Sequence, residues 1–303
     1  MKAHPKGLVV VMLLIGACPA IAQTTIDPAN KYAYGANVGW INLAGDQTNG
    51  IIASEYICSG YAFGANIGWI DFGDGTPNNG IAYSNATPTD YGVNVTNYHC
   101  PALGSHVADL RGYAYGANIG WIHFESMGDP RIDLTTGKLL GYAWGANIGW
   151  INLGEISPNV NAVTSLAPST DRDEDGIADA YEYTHAGFPN LTVLGDTPGA
   201  DFDGDGQSDR SEYWADTDPT DSSSRLSITA FSGQAIPDTY SLVFRSSFTR
   251  VYHIESNPNL SSPWVSVIGP IKPIGAITTQ SVTDPGGDSF HYWRVSAELP
   301  LQP

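Results

Sequence analysis

Two twelve-residue phrases place carboxylates at the spacing that a hard divalent cation requires. Asp171 to Glu182 reads DRDEDGIADAYE, and Asp201 to Glu212 reads DFDGDGQSDRSE. Both fit D-x-D-x-D-G-x-x-D-x-x-E at every fixed position. Calcium takes about six to eight oxygens, which such a loop supplies from its odd positions and from a bidentate glutamate at its end; a glycine makes the sharp turn. On that scheme Asp171, Asp173 and Asp175 give side-chain oxygens to one site, and Asp201, Asp203 and Asp205 to another. Ile177 and Gln207 give backbone carbonyls, Asp179 and Asp209 act directly or through water, and Glu182 and Glu212 close the sites. The pattern predicts two Ca²⁺ ions. A merely solvated acidic linker has no reason to repeat every fixed position.

The elements that must hold these loops are short. Pro168 and Pro198 precede them in stretches without helical period, so the entering helix of an EF-hand is missing and only the EF-hand-like loop remains. An exiting helix is expected from Asp179 and from Asp209. Residues 171–222 carry fifteen acidic side chains against Arg172 and Arg210 alone, and such a segment repels itself unless cations neutralise it. Asp201 to Asp221, DFDGDGQSDRSEYWADTDPTD, resembles the bacterial thrombospondin type 3-like calcium repeat. That resemblance implies a structural spacer rather than a calcium sensor. The chain departs from it at Ala215-Asp216, where the family has glycine and threonine, and this leaves the roles of Asp216 and Asp218 open.

Upstream, an eleven-residue phrase recurs four times: KYAYGANVGWI from Lys31, GYAFGANIGWI from Gly60, GYAYGANIGWI from Gly112 and GYAWGANIGWI from Gly141. A fixed period marks supersecondary units that bury their apolar faces only against neighbours. Two or three glycines per copy argue against helix, and Tyr, Trp, Ile and Val argue for strand. A two-residue type II′ turn at Gly145-Ala146 would pair Trp144 with Asn147, Ala143 with Ile148 and Tyr142 with Gly149. Each ring would then cover a glycine, and the aromatic residues would form a repeating core. An exposed Trp and Tyr platform for a ligand is the alternative.

Between the second and third copies, Gly50–Cys58 aligns with Gly92–Cys100. One unit is therefore expected to be a strand, a turn and a hairpin, arranged as an open stack or a closed array over 25–155. If the aligned units stack as neighbours, Cys58 and Cys100 meet in a disulfide. The phrase is similar to GYAWGxNIGWI-type β repeats of exported bacterial proteins, a resemblance that carries no activity.

The ends complete the layout. Residues 1–22 read as a signal peptide: Lys2 and Lys6, the apolar run GLVVVMLLIGA, then Ala20-Ile21-Ala22 before Gln23. Ile15-Gly16-Ala17-Cys18 competes as a lipoprotein signal, although Pro19 follows the cysteine. The chain is expected to be exported, secreted or at the cell surface, with no transmembrane segment. After a polar linker at 156–170 and the calcium loops at 171–222, residues 225–303 show six short alternating runs, as expected of a β-sandwich. YHIESNPNLSSPWVSV and FHYWRVS within them resemble C-terminal fibronectin III-like modules, with Tyr292 and Trp293 expected in the core.

The whole chain is thus read as mainly β, with short helices only after the calcium loops. Of its 303 residues 31 are acidic and 13 basic, a formal charge of −18 that repels nucleic acid and attracts cations. No histidine pair has zinc-ligand spacing, and no nucleophile elbow or phosphate loop occurs. The sequence supports a non-enzymatic, structural or adhesive protein in which calcium rigidifies the connector between two β domains. Its partners would be a cell-surface polysaccharide or protein. Carbohydrate binding through exposed Trp and Tyr is the first alternative. The second is a hydrolase drawing carboxylates from Glu125, Asp129 and Asp133.

Overall fold

A computed structural model describes residues 24–46, 48–102, 105–154, 160–187, 189–191, 193–195, 197, 199–233, 239–283 and 292–302. The expected signal peptide at 1–22, with Cys18, lies outside the described residues, as do 156–159 of the linker. The described chain divides into two compact units, one carrying the repeats and the other comprising Asp175–Ile177 and Val193–Leu299.

Each repeated phrase is a β-hairpin: β1 (Ile26–Gly35) with β2 (Gly39–Asn42), β3 (Tyr61–Gly64) with β4 (Gly68–Asp71), β5 (Ser105–Gly116) with β6 (Gly120–Phe124), and β7 (Tyr142–Gly145) with β8 (Gly149–Asn152). The register differs from the expected one. Trp144 lies opposite Trp150, Ala143 opposite Ile151 and Gly145 opposite Gly149. The turn is longer than two residues. The Ile148 N–H donates to the Gly145 carbonyl at 3.1 Å, and Gly149 follows with φ +76°. A turn of this kind ending in a left-handed glycine is a standard hairpin connection of more than two residues.

The correct register sorts the faces. Ala33, Ala62, Ala114 and Ala143 point inward opposite Ile41, Ile70, Ile122 and Ile151, and all eight are buried. The rings alternate with them and point outward: Trp40 is 47% exposed and Trp150 42%. The expected aromatic core is therefore overturned.

The four hairpins pair in chain order, antiparallel throughout, and the last pairs with the first through Gly35↔Ile151. The result is a closed, up-and-down, eight-stranded barrel. A barrel of this size has an interior just wide enough for side chains to fill, and alternating small and large residues suit it. Four alanines facing four isoleucines fit; four tryptophans would not.

The turns seal one end. Val38, Ile67, Ile119 and Ile148 are buried there, and a Cβ added at Gly35, Gly64, Gly116 or Gly145 would stand 2.6 Å from them. Each turn asparagine reaches back to the neighbouring hairpin. The Nδ2 groups of Asn37, Asn66, Asn118 and Asn147 donate to the carbonyls of Ile148, Val38, Ile67 and Ile119 at 2.9–3.1 Å. These four bonds form a ring.

The expected disulfide is absent: Cys58 and Cys100 are free thiols. The two aligned segments do not stack as translated copies. They meet antiparallel, with Ile57 bridging Asn94 and the Tyr98 hydroxyl donating to the Glu55 carbonyl at 2.8 Å. Cys58 thus falls beside Val93, seven residues from Cys100, or about 20 Å along an extended strand. A disulfide needs Cα atoms about 4.4–6.8 Å apart.

The second unit holds six strands among its described residues: β9 (Ile228–Gly233), β10 (Thr239–Arg245), β11 (Val251–Asn257), β12 (Val265–Ile271), β13 (Ile277–Thr283) and β14 (Tyr292–Glu298). They form two sheets, β9-β10-β13 and β12-β11-β14. Leu242, Phe244 and Val282 of one sheet share a core with Tyr252, Ile254, Ile271 and Val295 of the other, as in a β-sandwich. Tyr292 departs from expectation and is exposed, while Trp293 packs partly buried against this core.

Two measurements check this fold. Cys58 is buried, and burial pushes its thiol up to about 12, so of these two cysteines alkylation of the native chain should label Cys100 and spare Cys58. Both thiols should react after unfolding, and a native chain that labels neither would restore the disulfide. Gly149→Ala should destabilise the barrel by about 1–2 kcal/mol in chemical denaturation, because a side chain at φ +76° is strained.

Candidate functional site

The acidic loops are shaped by their own aspartates. In the second loop Asp201 accepts from the Gly204 and Gly206 amides at 2.8 and 2.9 Å, Asp203 from Asp205 at 3.0 Å, and Asp205 from Gln207 at 2.7 Å. Each of these bonds fixes the turn locally, as Asp side chains do. The first loop follows the same plan, with the Ile177 amide donating to Asp175 at 2.8 Å. Ligand-capable oxygens of Asp171, Asp173 and Asp175 lie within 4.8 Å of one another, and so do those of Asp201, Asp203 and Asp205.

The ninth-position residues do something the pattern does not reveal. Asp179 accepts from the Arg172 amide and Asp209 from the Phe202 amide, both at 2.8 Å. The second oxygen of Asp209 accepts from Gly195 at 3.0 Å. Both aspartates are buried and tie the second position of their loop to the first turn of the following helix. These helices start where expected: α1 spans Asp179–Glu182 and α2 spans Asp209–Ala215, the latter capped by Ser208.

Glu182 and Glu212 are fully buried at the twelfth position. Glu212 is the more informative. Its Oε1 accepts from the Thr217 hydroxyl at 3.1 Å, while its Oε2 has no hydrogen-bond partner. Asp203 Oδ2 and Asp205 Oδ2 are likewise buried without partners. Burial pushes the Glu212 carboxyl up to about 8, and the nearby charges of Asp203, Asp205 and Asp209 act in the same direction. One oxygen of Asp203 and of Asp205 thus serves the loop backbone, and the other is left over. Gln207 turns its amide away to donate to the Leu226 carbonyl at 2.8 Å.

Asp216, whose role the sequence left open, binds the sandwich. Its carboxylate accepts from the Ser247 and Thr249 hydroxyls at 2.5 Å. Arg250, only 2% exposed, donates to the carbonyls of Tyr213 and Trp214 at the end of α2. Asp218 caps a local turn through Thr220.

A second feature lies on the barrel wall. His123 of β6 stands opposite Trp144 of β7. Trp144 packs on Trp150 with ring centres 4.9 Å apart, and Tyr142 lies 6.2 Å from Trp150. With Glu125 and Gly128 these residues line an open groove of about 300 Å³. The Glu125 carboxylate lies 3.1 Å from His123 Nδ1. Of the other carboxylates considered for hydrolysis, Asp129 pairs with Arg131 and Asp133 caps the turn at Thr135. The sequence shows these aromatic residues but not their exposure, which depends on the hairpin register.

Arg250→Ala should destabilise the second unit by about 2–4 kcal/mol in denaturant unfolding, since it strips buried carbonyls of a charged donor. Exposed Arg245→Ala should stay within about 0.5 kcal/mol of the parent.

No helix among the described residues is long and apolar enough to cross a membrane. No family model, curated protein or solved structure matches this chain, so the chemistry of its sites is read from its own residues.

Proposed function

We propose that this chain is an exported, non-enzymatic, calcium-binding protein with a structural or adhesive role. Two Ca²⁺ ions, one per acidic loop, rigidify the segment that joins the two β units in sequence. The observation that carries this reading is the fully buried Glu212, whose unpartnered oxygen shares a loop with the unpartnered oxygens of Asp203 and Asp205. Buried carboxylates without partners are costly, and like charges side by side raise that cost. A hard cation offsets both terms, and oxygen ligands in this number suit calcium better than the smaller, strictly octahedral magnesium. The joint of α2 to the sandwich through Arg250 and Asp216 supports a load-transmitting role rather than that of a sensor, whose helices must move.

Calorimetric titration of the chelator-stripped chain tests the proposal. Two calcium ions should bind at millimolar concentration, and Glu212→Gln and Glu182→Gln should each remove one. At a hundredfold excess over Kd the bound ion should add about 2.7 kcal/mol to the stability of the unit that holds it. Magnesium should substitute poorly. A full chain that binds no calcium at millimolar concentration would overturn the proposal.

A further inference from the structure

The four outward aromatic clusters are equivalent by the barrel's fourfold repeat, and one of them carries a further ring supplied by the chain itself. Trp121 and Tyr115 of the third hairpin carry Tyr91 on top of them. The Tyr91 ring meets Trp121 edge to face, with centres 4.9 Å apart. Its hydroxyl donates at 2.8 Å to Asp71, the residue opposite Tyr115 on the neighbouring strand. A six-membered ring thus packs against the aromatic pair, at right angles to Trp121, while its hydroxyl bonds to the polar residue at the hairpin seam.

One hairpin further on, each part has its counterpart. Trp144 and Trp150 stand where Tyr115 and Trp121 stood, and His123 replaces Asp71 opposite Trp144. Among the described residues no further tyrosine packs on them as Tyr91 does on Trp121. Their place above the seam is the open groove, with Glu125 beside His123 as a further hydrogen-bonding group. Trp144 and Trp150 are 38% and 42% exposed, close to the 37% and 38% of Tyr115 and Trp121, so Tyr91 touches the rim of its pair without sealing it.

We infer that this groove binds a sugar ring of a neutral polysaccharide. A pyranose presents polarised C–H groups on its face and hydroxyls around its rim. The C–H face packs against the electron-rich face of indole, and the rim bonds to imidazole and carboxylate. Charge selects among polymers. The chain carries −18 and the groove its own Glu125, so a uronate or sulfated polymer is repelled. Repetition selects against a folded protein partner: similar clusters recur around the barrel at Trp40 and Trp69, which suits a ligand made of repeating units. A lipid contact is disfavoured because six of the eight barrel strands are four or five residues long, whereas a membrane strand takes about nine to eleven. The inference deepens the adhesive half of the function proposed above and rests on it only for export.

Native electrophoresis of the full chain through gels cast with a neutral β-glucan, a mannan, a xylan or a uronate polymer tests it. At least one neutral polymer should retard the chain, and the uronate should not. Trp144→Ala should weaken retardation about tenfold at an unchanged melting temperature, and Trp144→Phe should retain most of it. Tyr91→Ala should free the contacted edge of Trp121 and raise the amount of oligosaccharide bound per chain, a gain that misfolding does not produce. Failure of every neutral polymer, or retardation indifferent to Trp144→Ala, would overturn the inference. So would self-association abolished by that variant, which would make a second copy the occupant. Runs with calcium and with chelator separate the two proposals. Calcium binding without glycan binding removes the groove alone; glycan binding without calcium binding removes the metal loops alone.

Discussion

The bore of an eight-stranded barrel limits what can sit inside it. Four alanine–isoleucine pairs fill it at one level, and the buried valine and isoleucines of the turns close the end. Nearly everything else about the first unit depends on that limit. Strand side chains alternate, so filling the bore with small and medium residues sends every neighbouring position outward. The aromatic residues are outside because the inside is full. There they pack at steep angles within each hairpin, with interplanar angles of 58–62°, shielding part of one another while leaving more than a third of each of these tryptophans to solvent.

The acidic loops answer to a different constraint, the shortage of hydrogen-bond donors. Each loop is bent by backbone amides that bond to aspartate oxygens, and amides are few. In the second loop the left-over oxygens of Asp203 and Asp205 belong to the same twelve residues as the buried Glu212. Shape is therefore largely set by the chain's own amides. The second loop is not a free tether either. Asp216 and Arg250 fasten its helix to the sandwich, and Ala215 enters the sandwich core.

Much of this was legible in the sequence. The loop positions, both exiting helices, all six sandwich runs and the hairpin nature of the repeat follow from spacing and residue type. The errors share one origin. A two-residue turn and a longer one differ by an odd number of residues in register, and an odd shift exchanges the faces of a strand. Gly145 and Gly149 are compatible with either turn from composition alone. Only closure of the barrel, which demands a narrow interior, decides between them. The cysteines failed for a related reason: similarity between two segments does not tell whether they run side by side or head to tail. The roles of Asp179 and Asp209 were hidden because a carboxylate that anchors a loop and one that binds an ion occupy the same place in the pattern.

The ring of turn asparagines has a consequence for how such a domain can change over generations. In an open solenoid each unit touches only its neighbours, and units can be gained or lost by unequal recombination without disturbing the rest. Here Asn37 reaches Ile148, so the first unit is also the neighbour of the last. Removing or adding one copy would change the circumference, and with it the volume that alanine and isoleucine must fill. Copy number is thereby locked, and variation is confined to what each copy carries outward: tyrosine, phenylalanine or tryptophan at the exposed positions, and asparagine, aspartate or histidine at the seams.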